Sequence, residues 1–584
     1  MSNNATTSKW DTLNWSIIES RTWRIQKRIY QAALTNNKTK VRFLQLKLVN
    51  SLDAKLQAVR LVTSLNKGKK TPGVDKKLYV TPNEKWQLSN SLNLDGKAAP
   101  IRQVLIPSKP GKTTTRPLGI PILKDRAKQA LAKMALEPEW EAKFEPNSYG
   151  FRPGRGCHDA IERIFMSLNN PRKREKNHKY ILDADLKGCF NNISHEHILD
   201  HINNSPKKIK DQVKAWLRAG AVEGFTEAQN YYLIPETEIG TPQGGIISPL
   251  LCNIALHGLE THLKDWILKR PHKGIAKRDQ LNSLTIVRYA DDFVVIHKDK
   301  MVILEAKQEI ISWLEKTSKI QLNEEKTKIR YSPEGFNFLG FTIIHVTKNF
   351  KTKTRITASK ESINNMTKKV KTIANEMKSA GAYEFIKRIR PITLGWANYF
   401  CVGEWKETAS KVNHKIFTQT LRPWVFRKKA KNKGRQWIKA KYFPNNQTWK
   451  FQGKEYQDNW VLYGKTKIKD KEVEIFLPHI QWVPSKKHVK IQEHRSPYDG
   501  DNYYWGIRSE KYGSLNTSER KLLRTQKGKC TICKTAFKIG DQHEVDHIIP
   551  KSQNGQDTYR NLQLVHKTCH QRKSSKENTA RTVS

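Results

Sequence analysis

Three aspartates and a later group of cysteines and histidines carry the chemistry that this sequence can offer. Asp291 and Asp292 stand in Ile286-Val287-Arg288-Tyr289-Ala290-Asp291-Asp292-Phe293-Val294-Val295-Ile296. β-Branched and aromatic runs on both sides of Ala290-Asp291-Asp292 predict a β-hairpin with a tight connection. Asp is also an ordinary residue of solvated turns, so the pair alone decides nothing. Upstream, Lys179-Tyr180-Ile181-Leu182-Asp183-Ala184-Asp185-Leu186 predicts a strand on which Asp183 and Asp185 share one face. A strand end that faces the hairpin would gather carboxylates that repel one another until a divalent cation joins them. Hard oxygen ligands select Mg²⁺ or Mn²⁺. A pair of such ions can hold the attacking and leaving oxygens of an in-line phosphoryl displacement. Spacing does not make the two strands neighbours.

The second group is Cys530-Thr-Ile-Cys533, Glu544-Val-Asp546-His547-Ile-Ile-Pro550, Asn561 and His566-Lys-Thr-Cys569-His570. Cys530, Cys533 and Cys569 have the spacing of zinc ligands. Glu544 and Asp546 lie two apart and share a strand face.

The elements that must position these residues alternate along the chain. Apolar residues recur at helical spacing from Arg21 to Leu65, and again over Asp125 to Trp140, from His158 onward, over Leu251 to Leu263 and over Val302 to Leu314. Val104 to Pro107 and Phe338-Leu-Gly-Phe341 predict strands, and Gly240 to Leu250 a loop in which Gly244-Gly245 allows close backbone approach. Ser359 to Trp424 is helical and basic; Arg427 to Lys441 predicts a basic linker; Trp449, Trp460, Trp482 and Trp505 follow among lysines, a mixture suited to nucleic acid.

Lys and Arg number 106 against 55 acidic residues in 584, a net charge of +51. Confining that much like charge costs self-repulsion unless a polyanion neutralises it, and nucleic acid is the obvious polyanion. At 37% hydrophobic residues the chain can build packed cores, and its length predicts more than one domain. No apolar run is long enough to span a bilayer and Met1 to Trp10 is polar, so the expected setting is bacterial cytoplasm or an organelle's matrix or stroma, with no membrane partner and no secretion. Four scattered cysteines, Cys157, Cys189, Cys252 and Cys401, suit a reducing compartment and small core sites.

Several motifs in order give the chain a family resemblance. Arg116-Pro-Leu-Gly-Ile-Pro121, Ser148-Tyr-Gly-Phe-Arg152-Pro, Asp185-Leu-Lys-Gly-Cys-Phe190, Thr241-Pro242-Gln243-Gly244-Gly245, Tyr289-Ala290-Asp291-Asp292, Phe338-Leu-Gly-Phe341 and Gly395-Trp-Ala-Asn-Tyr-Phe400 resemble the proteins encoded by group II introns. The resemblance implies an α+β multidomain chain. A helical extension and the start of the fingers would occupy 1–95, and reverse transcriptase fingers and palm 96–345. An α-helical thumb, or maturase domain X, would follow at 346–425, a basic DNA-binding region at 426–515, and a zinc-supported ββα-metal (HNH) nuclease at 516–584. It implies catalysis by Asp185, Asp291 and Asp292 on two Mg²⁺ ions, with Asp183 a structural neighbour. Lys109 and Arg116 would meet the triphosphate of an incoming dNTP, Phe190 would crowd the sugar 2′ position, and Gln243 would lie near the templating pair. In the nuclease it implies His547 as general base, Asp546 and His570 as ligands of Mg²⁺ or Mn²⁺ with Glu544 the alternative, and Asn561 orienting the base. Zn²⁺ would sit on Cys530, Cys533, Cys569 and His566, the last standing where relatives carry cysteine. The implied partners are the intron RNA, double-stranded target DNA and dNTPs. The competing readings are a reverse transcriptase of another lineage, retron-like, and an RNA-binding maturase with an inactive polymerase.

Overall fold

An uninterrupted run such as Phe293-Val-Val-Ile-His297 suits a strand buried on both faces, and the sheet that holds it is covered on both. In the computed structural model of the chain, four strands lie in the order Thr285–Tyr289, Asp292–His297, Tyr180–Asp185, Lys328–Tyr331, each antiparallel to its neighbour. The structure describes residues 9–107, 115–169, 178–223, 232–234, 240, 244–271, 274–348, 351–428, 434–468, 471–512, 515, 517–535, 537, 541–567 and 569–574. Lys109 and Gln243 lie outside these residues.

Side chains alternate between two cores along this sheet. Leu182, Ala184, Phe293 and Val295 join Val302, Ile303, Ala306 and Ile310 of the helix Lys300–Lys316. Ile181, Val287, Val294 and Ile296 join Ala160, Ile161 and Ile164 of the helix Cys157–Leu168. The first core continues into the N-terminal region, where Ile29, Leu44, Leu48, Leu56 and Val59 bury the inner faces of the helices Trp15–Leu34, Lys38–Asn50 and Leu52–Arg60. These pack on the helix Leu123–Lys143, to which Gln45 is tied by its amide on the Glu139 carboxylate at 2.6 Å. A second sheet, ordered Thr115–Ile120, Ile101–Pro107, Ala221–Glu223, Tyr232–Ile234, stands beside the first.

The second core runs on through the helices after residue 359. The helices Lys360–Glu376, Ala382–Phe400 and Trp405–Ile416 bury Val370, Phe385, Ile389 and Val412, and Phe341 meets Tyr399 and Phe400 at ring distances of 5.4 and 4.8 Å. A small module follows later in the chain, with the helix Thr517–Thr525 on the antiparallel pair His543–His547 and Leu562–His566.

Four sequence-based expectations are corrected. Phe338-Leu-Gly-Phe341 is a hairpin turn, because Leu339 and Gly340 both take positive φ (49° and 82°), as a type I′ connection requires. The helix expected over Leu251 to Leu263 is two, Ser248–Ala255 and Leu259–Lys269, parted at Gly258 with φ 104°. Part of the basic linker is the helix Arg435–Tyr442, whose Ile438 is buried. Trp449, Trp482 and Trp505 are 5%, 4% and 6% exposed and serve as core, whereas Trp460 is 38% exposed.

Arg152 fixes the turn between two of these helices. Its guanidinium makes a bidentate pair with Glu141 at 2.9 and 3.1 Å and donates to the carbonyls of Glu145 and Ser148, with both charged side chains 1% exposed. Removing one partner strands the other charge in the protein. Arg152→Ala should therefore cost about 3–5 kcal/mol, read as a lowered urea midpoint, while an exposed control such as Lys411→Ala should move it by less than about 0.5 kcal/mol.

Candidate active sites

Strand register brings the first group of carboxylates together. Asp185 lies directly opposite Asp292, and the pairing of Tyr289 with Asp292 leaves Ala290-Asp291 as a two-residue connection. Asp291 thus projects from the loop beside a pair that the sheet already holds. Ala290 takes φ 59°, a left-handed conformation that a residue with a Cβ adopts at a cost of roughly 1–2 kcal/mol.

A buried network holds the hairpin in place. The Arg288 guanidinium donates to Asn253 Oδ1 at 3.2 Å and to the Ala290 carbonyl at 3.4 Å, and Asn253 Nδ2 donates to the Gly150 carbonyl at 2.8 Å. Backbone bonds Tyr149 N–H to Arg288 O and Arg288 N–H to Asn147 O lay residues 147–149 along the hairpin's outer strand. Gly150 comes so close that a Cβ there would stand 2.4 Å from the Ala290 nitrogen. The Ser148-Tyr-Gly-Phe-Arg152 motif thus supports the Ala290-Asp291 turn. At the other strand end, Asn323 N–H donates to the Asp185 carbonyl at 2.8 Å.

The electrostatics follow from this crowding. Asp292 is pushed up to about 7 by the protein around it and by the charges of Asp291 and Asp185. Burial and Asp185 raise Asp291 as well, and burial raises Asp183 to about 6, with Arg330 opposing. Lys326 sits on Asp185 Oδ2 at 2.5 Å, and that bond raises the Lys326 ammonium. The carboxylates already draw in one cation, Lys326, and a divalent ion would have to displace both that ammonium and the proton that crowding favours before these hard oxygens could ligate it.

Around this cluster, Phe190 lies on the short helix Cys189–Asn192, its ring edge-on to Phe151 at 6.3 Å. Arg116 is exposed on the strand Thr115–Ile120. Gly244, at φ 124°, lies against that strand: a Cβ there would stand 2.3 Å from the Gly119 carbonyl oxygen. Sequence reasoning missed Lys326, which nothing but its polar surroundings, Asn323-Glu-Glu-Lys-Thr-Lys328, distinguishes in the chain. It also missed Phe151, whose backbone conformation leaves no compositional trace.

The second group assembles on its own two-stranded sheet. One atom from each of Cys530, Cys533, His566 and Cys569 lies within 4.8 Å of the others, a donor set that could hold a metal ion. Cys530 is buried, and its bond from the Cys569 thiol draws it down to about 3, toward the thiolate that a soft metal binds. His566 Nε2 meets Asp541 at 3.3 Å, the outer carboxylate that commonly orients a ligating imidazole. His570 bridges Glu544 at 2.7 Å and Asp546 at 3.4 Å, and Lys573 meets Asp546 at 2.9 Å. The His570 imidazole thus lies between two carboxylates, one on each ring nitrogen, and the Lys573 ammonium also neutralises the second. Asn561 ties the following loop, accepting from Ile549 N–H at 2.8 Å and donating to the Ile549 and Gln556 carbonyls at 3.0 Å. The group on His547 is Asp557, at 2.6 Å from Nε2, itself paired with Lys551. No spacing rule marks Asp557 within its polar loop.

Comparison with known proteins places these sites in a class. Residues 106–343 match the model of the reverse transcriptase (RNA-dependent DNA polymerase), 10–92 the N-terminal domain of reverse transcriptase, 363–443 the group II intron maturase-specific domain and 530–576 the HNH endonuclease. Fold and sites therefore define a reverse transcriptase that carries a maturase domain and a nuclease module. Protein YkfC of Escherichia coli K12 is 32% identical over 351 residues, which span 55% of this chain and 87% of that protein. The group II intron-encoded protein LtrA of Lactococcus lactis subsp. cremoris is 31% identical over 294 residues, 42% of this chain and 47% of that one. The putative COX1/OXI3 intron 2 protein of Saccharomyces cerevisiae is 28% identical over 306 residues, 44% and 34% of the two chains. The chain thus spans most of the first relative and less than half of the other two. It belongs to the group II intron-encoded proteins, as reverse transcriptase and maturase with an HNH domain. No described helix is long and apolar enough to cross a membrane.

The raised carboxyl sets a pH dependence. In the folded, metal-free protein Asp292 keeps its proton up to about pH 7, whereas in the unfolded chain it loses it near 3.8. The folded state binds the extra proton, so this contribution favours folding below about pH 4 and is lost as pH rises to about 7. With chelator present, Asp292→Asn should raise Tm relative to wild type by an amount that grows from pH 5 to pH 8. Adding Mg²⁺ should raise the wild-type Tm more at pH 8 than at pH 5.

Proposed function

We propose that this protein binds the RNA of its own group II intron and assists its splicing, nicks one strand of a double-stranded DNA target, and copies the RNA from the exposed 3′ end. The polymerase reading is carried by the register that sets Asp185 opposite Asp292 with Asp291 in the adjoining turn. The maturase match and the excess of 106 basic over 55 acidic residues support intron RNA as partner, with the RNA itself supplying splicing catalysis. The HNH match supports the nick. A bacterial cytoplasm or an organelle's matrix or stroma is where such RNA and DNA meet.

In this reading Asp185, Asp291 and Asp292 hold two Mg²⁺ ions. Bound there, the ions supply stabilisation of charge on the attacking 3′ oxygen and on the departing phosphate. The side chains do the rest. Arg116 and Lys109 neutralise the triphosphate, Phe190 closes the 2′ side of the sugar so that a hydroxyl has no room, and Gln243 lines the templating position. In the nuclease, His547 takes the proton of the attacking water. Asp557 accepts from His547 Nε2–H, which leaves Nδ1 with the lone pair. Asp546 and His570 hold Mg²⁺ or Mn²⁺, with Glu544 the alternative ligand, while Asn561 fixes the loop that follows His547 and so orients the base. Cys530, Cys533, His566 and Cys569 hold a structural Zn²⁺.

Separate variants test the two chemistries. Primer extension on an RNA template should fall to background in Asp291→Ala/Asp292→Ala, and unchanged extension would sink the polymerase assignment. His547→Ala should lose strand nicking yet extend a supplied primer at the wild-type rate. Zinc released by an organomercurial should come to one ion per chain. His566→Ala should lower that value and His566→Cys should keep it.

A further inference from the structure

We infer that Phe151 is a positioning residue for sugar selection, holding the Phe190 ring in the place from which it excludes a 2′ hydroxyl. The inference rests on the reading of Phe190 given above.

Phe151 is an anomaly on two counts. It takes φ 60°, where a bulky side chain is a genuine outlier, and the residue is 48% exposed although its large aromatic ring would gain by burial. A residue with neither a conformational nor a burial advantage adds nothing to the fold at that position. Glycine or asparagine would fit the backbone at lower cost. Such strain persists only where the surroundings over-determine it, and here they do. On one side Gly150 is locked to the catalytic turn, its carbonyl bonded by Asn253 at 2.8 Å and its Cα pressed on the Ala290 nitrogen. On the other side Arg152 is 5% exposed and bound to Glu141 and two carbonyls. Between two fixed neighbours the left-handed Phe151 has its ring thrown outward, and what it meets is the Phe190 ring, edge to face at 6.3 Å and 72°.

Phe190 is partly buried against the first core, and the Phe151 ring adds an aromatic edge to that packing. It sits in a four-residue helix, Cys189–Asn192, that follows Gly188 at φ 55°. A ring that discriminates by sterics must stay in one rotamer, since a swing about χ1 would open the space that it is meant to close. The Phe151 edge blocks that swing. The same peptide that braces the Asp291 turn thereby also fixes the sugar-facing ring, so metal site and sugar site share one backbone support.

The test is single-nucleotide extension by the full-length protein on an RNA template, comparing kcat/KM for a dNTP and the matching rNTP. Phe190→Val sets the scale and should erode discrimination strongly. Phe151→Ala should erode it by up to about tenfold, the worth of one aromatic pair, through faster rNTP use. Phe151→Tyr should restore it. Phe151→Gly, which relieves the backbone, should lose discrimination like alanine while raising Tm. If Phe190→Val erodes discrimination and Phe151→Ala does not, the positioning role is wrong. If Phe151→Ala slows dNTP and rNTP use equally, the residue is structural only, which also overturns the proposal. If Phe190→Val leaves discrimination intact, the reading of Phe190 itself has failed.

Discussion

Carboxylates do not gather willingly, and the polymerase half of this protein is built to make them. The force that opposes Asp185, Asp291 and Asp292 is their mutual repulsion, visible in the rise of Asp292 to about 7 and in the Lys326 ammonium drawn onto Asp185. What overcomes it is a sheet buried on both faces, whose register cannot slip by one residue without turning every inward side chain outward. Beneath the turn, Arg288, Asn253 and the Gly150 carbonyl close a buried hydrogen-bonded ring that spans three separate stretches of chain. Burying a guanidinium there is costly unless it is satisfied, and its position under the Ala290 carbonyl makes that expense serve the geometry of the turn.

The nuclease module solves the same problem at smaller scale. Its hydrophobic core of Leu515, Leu522, Leu523 and Leu564 is too small to order a loop of charged residues. A four-ligand cluster at one end and Asn561 at the other take over that task. His547, Asp546 and Glu544 then lie on one strand, His543–His547, and His570 reaches both acids from the following helical turn. Both sites gather carboxylates within a chain of strongly positive net charge, so each is a local patch of opposite sign to the whole.

Much of this was legible in the residues. The period-2 and unbroken apolar runs mark the Asp185 strand and the Asp291 hairpin, and periodicity marks the helical stretches apart from the break at Gly258 and the helix Arg435–Tyr442. Adjacency of the two strands was not legible from spacing and came from resemblance, because pairing over a hundred residues is decided by packing that no local pattern encodes. Leu339-Gly340 read as strand because a leucine at positive φ is rare, and only the closing register of Phe338 with Phe341 reveals the turn. Trp449, Trp482 and Trp505 among lysines read as a mixture suited to nucleic acid; the structure buries the three rings as core. Asp557, Lys326 and Phe151 escaped for a common reason. Each acts through where a loop places it, and loop geometry leaves little mark on composition.

The central claim is that one metal site is built jointly by the strand ending at Asp185 and the turn at Asp291-Asp292. Replacing Mg²⁺ with Fe²⁺ and generating hydroxyl radicals with ascorbate and peroxide cuts the backbone beside bound iron, and the fragments can be mapped by mass spectrometry. The account predicts cuts at both 183–187 and 289–293, suppressed together by excess Mg²⁺ and lost together in Asp185→Asn. Cleavage at only one of the two segments, or loss of one without the other, would contradict it.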